Sequence, residues 1–178
     1  MIKKYIELSN ITRVNVGHGA GTFNLALDEA LKGDDNEIVY FVENDYLHKP
    51  NSKKILEEGL DLGASFVSLY DHPDKYLSPQ NGGNPYCQGG AEDTRVYLTS
   101  SVHWKITNST TMTFASKVKT LKENESILRE HTKDSYPKDF DMFIELRKIN
   151  QILITPIPGV STHCELAWLS PLTNWKNI

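Results

Sequence analysis

The feature that most constrains the fold is the run Glu37-Ile38-Val39-Tyr40-Phe41-Val42, which ends in the acidic triplet Glu43-Asn44-Asp45. β-Branched and aromatic residues in near-continuous succession predict a strand covered on both faces, as in a parallel sheet flanked by helices. Two carboxylates at the carboxyl end of such a strand sit where open α/β sheets take ligands. With one residue between them, Glu43 and Asp45 can both turn toward a hard divalent cation, and oxygen donors suit magnesium or manganese. An ion held there would in turn hold a diphosphate. The same two acids would also simply close a strand and open a turn, so the neighbouring segments decide the matter.

Upstream, Asn15-Val16-Gly17-His18-Gly19-Ala20-Gly21 leads into Phe23, Ala26, Leu27, Ala30 and Leu31. That spacing predicts an amphipathic helix over about 22–32, lying between strands at 5–8 and 37–42. A glycine-rich loop opening a helix can bring backbone amides close to phosphate, helped by the positive end of the helix dipole. The spacing is neither a Walker loop nor Gly-x-Gly-x-x-Gly. Downstream, a turn at Lys49-Pro50 precedes a helix over about 52–62, with Asn51 as its expected cap. A strand at 64–70 follows, and Asp71-His72-Pro73-Asp74 ends it.

Taken together, these segments resemble the nucleotide-sugar-dependent glycosyltransferases of the GT-A fold, in particular the family-2-like group. The resemblance rests on Asn15-Val16-Gly17, on Asn24-Leu25-Ala26-Leu27-Asp28-Glu29-Ala30, and on the strand that ends in Glu43-Asn44-Asp45. It covers roughly residues 5–175. It implies an α/β fold with a GT-A-like, mostly parallel sheet flanked by helices and a small antiparallel excursion. It also implies a nucleoside diphosphate sugar donor, a glycan or other hydroxyl acceptor, and Mn2+ or Mg2+ as cofactor. Asn15, Gly17, Asn24 and Asn44 would then contact the donor, and Glu43 and Asp45 would hold the metal.

Asp139-Phe140-Asp141-Met142-Phe143-Ile144-Glu145-Leu146-Arg147 resembles the region that carries the catalytic base in inverting members of that group. One carboxylate there must take the proton from the acceptor hydroxyl as it attacks the anomeric carbon. Asp139 is the expected base, with Asp141 open because Lys138 stands where the resembled pattern has Glu. Asp139 would serve equally as a helix N-terminal charge. His163, after the strand-like 151–155, matches a histidine that several GT-A enzymes return to the metal; His48 competes less well. Imidazole is more acceptable to manganese than to magnesium. Trp104 and the hydroxyl-rich Asn108, Ser109 and Thr110 match the acceptor side, although a strand tryptophan more often belongs to a core.

Further elements follow from local pattern. Strands at 95–99 and 102–107 form a hairpin, and the segment after 108 runs into a helix with Phe114, Val118 and Leu121 on its apolar face, capped by Thr111 or Thr113. The Gly-, Pro- and Asn-rich stretch 78–93 reads as one long loop, flexible in the resembled family. With 178 residues, 39% hydrophobic and 24% charged, the chain suits one globular domain. A net charge of −4 argues against nucleic acid as a partner, and no apolar run approaches the length of a membrane span. Cys87 and Cys164 give no disulfide framework, which points to the cytoplasm.

In the resembled fold, two strand-helix units normally come before the segment matching residue 5. A sheet without them leaves an unpaired edge, so a homo-oligomer joined through the first forty or so residues is expected. A non-catalytic nucleotide-sugar or carbohydrate binding module is the alternative this raises. A sugar nucleotidyltransferase is another, but it needs a basic phosphate-binding loop, for which Lys3 and Lys4 give little support.

Overall fold

The computed structural model describes residues 6–86 and 96–178. Among these residues eight strands occur in chain order with five α-helices: α1 (Gly19–Ala30), β1 (Ile38–Phe41), β2 (Tyr46–His48), α2 (Ser52–Asp61), β3 (Phe66–Val67), β4 (Val96–Leu98), β5 (His103–Ile106), β6 (Phe114–Lys117), α3 (Val118–Glu123), α4 (Glu125–Glu130), α5 (Asp139–Lys148), β7 (Leu153–Ile157) and β8 (Ser161–His163). Six strands form one sheet in the order β1-β6-β3-β7-β5-β4, and β2 pairs with β8 in a separate ribbon. The α/β class is as expected, but the mostly parallel sheet is not. Among these strand pairs only β3 and β7 run parallel; β1–β6, β3–β6, β5–β7 and β4–β5 are antiparallel.

Period-two alternation explains the layering. Phe66, Phe114 and Leu153 pack with Phe23, Leu27, Met142, Phe143 and Leu146 beneath α1 and α5, while Leu121 of α3 and Leu128 of α4 extend the same cluster. Their strand neighbours Val67, Ala115 and Ile154 face the other way, onto Ile55, Leu56 and Leu60 of α2. Trp104 is wholly buried in this second cluster, and Gly59 of α2 lies so close that an added Cβ would come within 2.8 Å of the indole. Among the described residues no helix is long and apolar enough to cross a membrane.

Several local expectations are corrected. The segment with Phe114, Val118 and Leu121 is not one helix: residues 114–117 insert as β6 between β1 and β3, and only then does α3 begin. A turn with Thr111 and Met112 at φ 48° and 58° and a Thr113 N–H to Thr110 carbonyl bond of 3.0 Å aims the chain back antiparallel, so neither Thr111 nor Thr113 caps a helix. Asn51 adopts φ 68° without a side-chain cap bond; Ser52 Oγ instead donates to the Lys49 carbonyl at 2.7 Å. Of the strand expected at 5–8, Tyr5 lies outside the described residues and Leu8–Asn10 is a 3-10 turn. Residues 87–93 of the long loop are likewise outside, while 78–86 contain the 3-10 turn Pro79–Asn81 and the buried Asn84.

β1 is an edge strand, not a strand covered on both faces. Ile38 is exposed, Val39 and Tyr40 are half-buried, and only Phe41 is buried. No described strand pairs with its outer edge. A cleft of about 820 Å³ lies on the α1 side, touching Val39 and Phe41, and one of about 410 Å³ on the α2 side, touching Ile38 and Tyr40.

Candidate functional site

Where β1 ends, the chain turns through Glu43 and Asn44 and re-enters as β2. The β2–β8 register sets Tyr46 opposite His163, which brings the C-terminal histidine back to the acidic triplet. His163 Nε2 lies 3.1 Å from Asp45 Oδ2, and the Cys164 N–H donates to the Asp45 carbonyl at 2.8 Å. His163 Nδ1 accepts from the Glu165 N–H at 3.1 Å, so the neutral ring carries its proton on Nε2, facing Asp45. The other carboxylate oxygen, Asp45 Oδ1, is buried with no hydrogen-bond partner. Burial raises the Glu43 pKa above the ordinary carboxylate range; Asp45 adds to that rise and His163 opposes it.

Two carboxylates that repel one another, one with an orphaned oxygen, fit the donor set of a hard cation. Glu43 and Asp45 are the residues that would hold it, and His163 is at hand once its bond to Asp45 gives way. Among the described residues no group of three or more His, Cys, Asp or Glu side chains is gathered closely enough to hold a metal ion.

The larger cleft runs along α1 and the outer side of β1 and reaches Glu43 and Asn44. Asn15 and Gly17 lie exposed in the segment before α1, Gly17 with the positive φ of 80° that favours glycine. The start of α1 is not an open phosphate cradle, because His18 caps it, its Nδ1 accepting from the Gly21 N–H at 3.0 Å. Gly21 answers to packing: a Cβ there would meet Val16 Cγ1 at 2.2 Å. Asn24 turns away from the triplet. Its amide donates to the Thr132 carbonyl at 3.0 Å and its Oδ1 accepts from Thr132 Oγ1 at 3.1 Å, joining α1 to the end of α4.

Asp139 is the first residue of α5. Its Oδ2 accepts from the Thr110 and Thr111 amides at 3.2 and 3.0 Å. Burial raises the Asp139 pKa, while those two amides, the charge of His72 and the Phe140 amide pull it back. Asp141, one turn position on, is exposed and accepts from Tyr86 Oη at 2.5 Å. Tyr46 packs beside His163. Its ring lies 5.4 Å from both the His163 and Tyr70 rings, and Thr111 and Thr113 lower a phenol pKa that burial raises.

The acceptor residues read from sequence are placed differently. Trp104 is in the core, with Nε1 donating to Thr99 Oγ1 at 3.1 Å, so it offers no face to a sugar. Asn108, Ser109 and Thr110 are buried, and the side chains of the first two belong to an internal network. Asn108 Oδ1 accepts from Lys75 and Asn84, while Ser109 Oγ donates to Asp74 Oδ2 at 2.7 Å. His48 bonds to the Tyr40 hydroxyl at 2.8 Å and not to the triplet.

The structure thus pairs His163 with Asp45 at the triplet, and the Thr110 and Thr111 amides with Asp139 at the start of α5. Tyr46 and His72 are the residues that sequence reasoning missed. Tyr46 stood next to the triplet and His72 in the Asp71-His72-Pro73-Asp74 strand end, but neither pattern carries a recognisable spacing. Comparisons with protein-family models, with curated proteins and with solved structures return no match.

Proposed function

We propose that this chain transfers a sugar from a nucleoside diphosphate to a hydroxyl acceptor, with Asp139 as general base. The observation that carries the reading is the presence of two carboxylate centres, Glu43 with Asp45 after β1 and the amide-held Asp139 at the start of α5, together with a cleft of about 820 Å³ that Glu43 lines. Nothing in a lone strand-end triplet requires a second held carboxylate; a displacement at an anomeric carbon does.

In this reading the donor lies along the cleft between α1 and β1, which Glu43 and Asn44 line. The acceptor hydroxyl meets the Asp139 carboxylate. As its oxygen bonds to the anomeric carbon and the bond to the diphosphate breaks, its proton passes to that carboxylate. The Thr110 and Thr111 amides fix its Oδ2 so that the base keeps its direction. A divalent cation held by Glu43 and Asp45 would supply positive charge for the departing diphosphate. One displacement of this kind inverts the anomeric centre.

A non-catalytic nucleotide-sugar binding module is the second reading. The unpaired outer edge of β1 and the capped start of α1 favour it, since both leave less backbone to grip a nucleotide base and phosphate. The test is calorimetry with nucleoside diphosphates and manganese, paired with an assay for nucleoside diphosphate release from a sugar donor panel. Binding with release supports transfer, binding alone supports the module, and neither removes both.

A further inference from the structure

β1 is the last strand on its side of the sheet, yet both of its faces open onto apolar clefts walled by helices. Phe23, Ala26 and Ala30 of α1 face the cleft of about 820 Å³, and Leu56 of α2 faces the cleft of about 410 Å³. Ile38 and Val42 stay 40% and 47% exposed at this edge, and no described strand meets its outer N–H and C=O groups. What fits such a place is another strand. Set about 4.8 Å outside β1, an extended segment bonds to the open edge, and its successive side chains point alternately into one cleft and the other. A small molecule or a docked helix fills one cleft and leaves the edge open; an extended chain reaches both and satisfies it.

The charges along the edge set the chemistry of that strand. Glu37, Val39, Phe41 and Glu43 all line the larger cleft, Glu29 lines it as well, and its described lining contains neither Lys nor Arg. Glu37 is exposed, and among the described residues no Lys or Arg pairs with it. Its Oε2 lies against Gly33, where an added Cβ would come within 2.4 Å, so the carboxylate is held at the cleft with its charge uncompensated. The smaller cleft carries Lys53 and Glu57 and favours neither sign. A net charge of −4 also favours a basic partner. A second copy of β1 does not supply one. Paired in parallel register it sets Glu37 beside Glu37 and Glu43 beside Glu43, and paired antiparallel about Tyr40 it sets Glu37 opposite Glu43. Like charges placed opposite one another destabilise a strand pair.

We propose that the outer edge of β1 is a docking site for an extended segment of another protein, a strand with apolar residues opposite 38–41 and a Lys or Arg opposite Glu37. This goes beyond the transfer reading and does not depend on it. A segment paired along 37–41 ends before Glu43 and Asn44, the residues given to the cation and the donor.

The probe is a capped synthetic peptide of strand length with Lys at each end and Val and Ile between, so that either strand direction brings a Lys to Glu37. Amide hydrogen exchange over residues 38–41 should slow saturably as the peptide is added. Replacing both Lys by Glu should weaken binding about threefold or more, as reversal of a cross-strand charge pair does, and Glu37→Lys should turn the preference round. Two further peptides carry methyl groups on alternate backbone nitrogens, one peptide for each parity. The set facing β1 should abolish protection while the other leaves it, because only the inward amides bond to the edge. No protection by any peptide overturns the proposal, and so does equal binding of the two methylated peptides, which would make the site a pair of side-chain clefts. Protection that grows with protein concentration alone, with a doubled mass, gives the edge to a second copy and overturns it too. The peptide series on the unaltered chain decides the matter even if Glu37→Lys fails to fold.

Discussion

Replacing Asp139 by Asn separates a general base from a helix cap, because the two roles predict opposite rankings of kinetic and thermodynamic loss. Asparagine is nearly isosteric, and its amide oxygen can still accept from the Thr110 and Thr111 N–H groups. What goes is the charge. An anion in the first turn of a helix contributes about 0.3–1 kcal/mol, and weakening two charge-assisted bonds to neutral ones adds about 1 kcal/mol each. Against this stands the relief of a buried charge. The folded-state pKa of Asp139 is raised, so between the unfolded and folded values the native protein holds the extra proton. The stability this contributes is full below the unfolded pKa, near 3.8, and is lost as pH rises through the folded one. Asp139→Asn should therefore compare best with the unaltered chain at neutral pH, within about 2 kcal/mol or a few degrees in Tm.

Loss of a base, by contrast, lowers turnover at least on the order of a hundredfold, about 2.7 kcal/mol in the barrier. Donor binding should hardly change, and turnover of the unaltered chain should rise with pH through a midpoint above the usual carboxylate range. The assays are nucleoside diphosphate release, calorimetric donor binding and thermal melting on the same preparations. Unchanged turnover, or equal loss of binding, stability and turnover, refutes the assignment. If Asp139→Asn turns over and Asp141→Asn does not, the base is the exposed carboxylate bonded by Tyr86.

Asp45→Ala should abolish manganese-dependent affinity for nucleoside diphosphates while leaving the far-ultraviolet circular dichroism intact; binding that persists by calorimetry removes the triplet from the site. Trp104→Ala should cost about 3–5 kcal/mol and lower Tm by about 10 °C, because it opens a cavity under Gly59 and Val67. A small Tm change with a weakened acceptor KM would instead restore Trp104 as a sugar platform. If the chain associates through the open edge of β1, amide exchange over residues 38–41 should slow as protein concentration rises, with a matching mass increase by light scattering. Fast exchange at every concentration refutes self-association there.

The elements legible in the sequence are those whose pattern is local. The spacing of Phe23 and Leu27, the hairpin of β4 and β5, and the helix from Asp139 are each fixed by residues within a few positions of one another. Strand direction is not local. Phe114-Ala115-Ser116-Lys117 continues smoothly into Val118 and Leu121, and only the left-handed backbone at Thr111 and Met112 reverses the chain before it. Because neither residue is glycine or asparagine, the usual signature of that conformation is missing, and a strand followed by a helix reads as a single helix. The parallel sheet expected from β1 fails for the same reason, since the strand beside it is the one that was read as helical.

The candidate site divides along the same line. Glu43 and Asp45 are adjacent in sequence and remain together in space, so the triplet could be found without a structure. His163 could be placed beside them only by analogy, and here it is the pairing of two three-residue strands, β2 and β8, that delivers it to Asp45. Asp74 and Asp139 are joined by still less: three consecutive residues in the turn before β6, of which Ser109 holds the first and Thr110 and Thr111 hold the second. Read as sequence, those hydroxyl residues suggest surface groups that bond a sugar. With Ser109 and Thr110 buried, the turn instead fixes two carboxylates by main-chain and side-chain donors at once. A change of backbone direction at Thr111 should therefore disturb both carboxylates together, although neither touches the altered side chain.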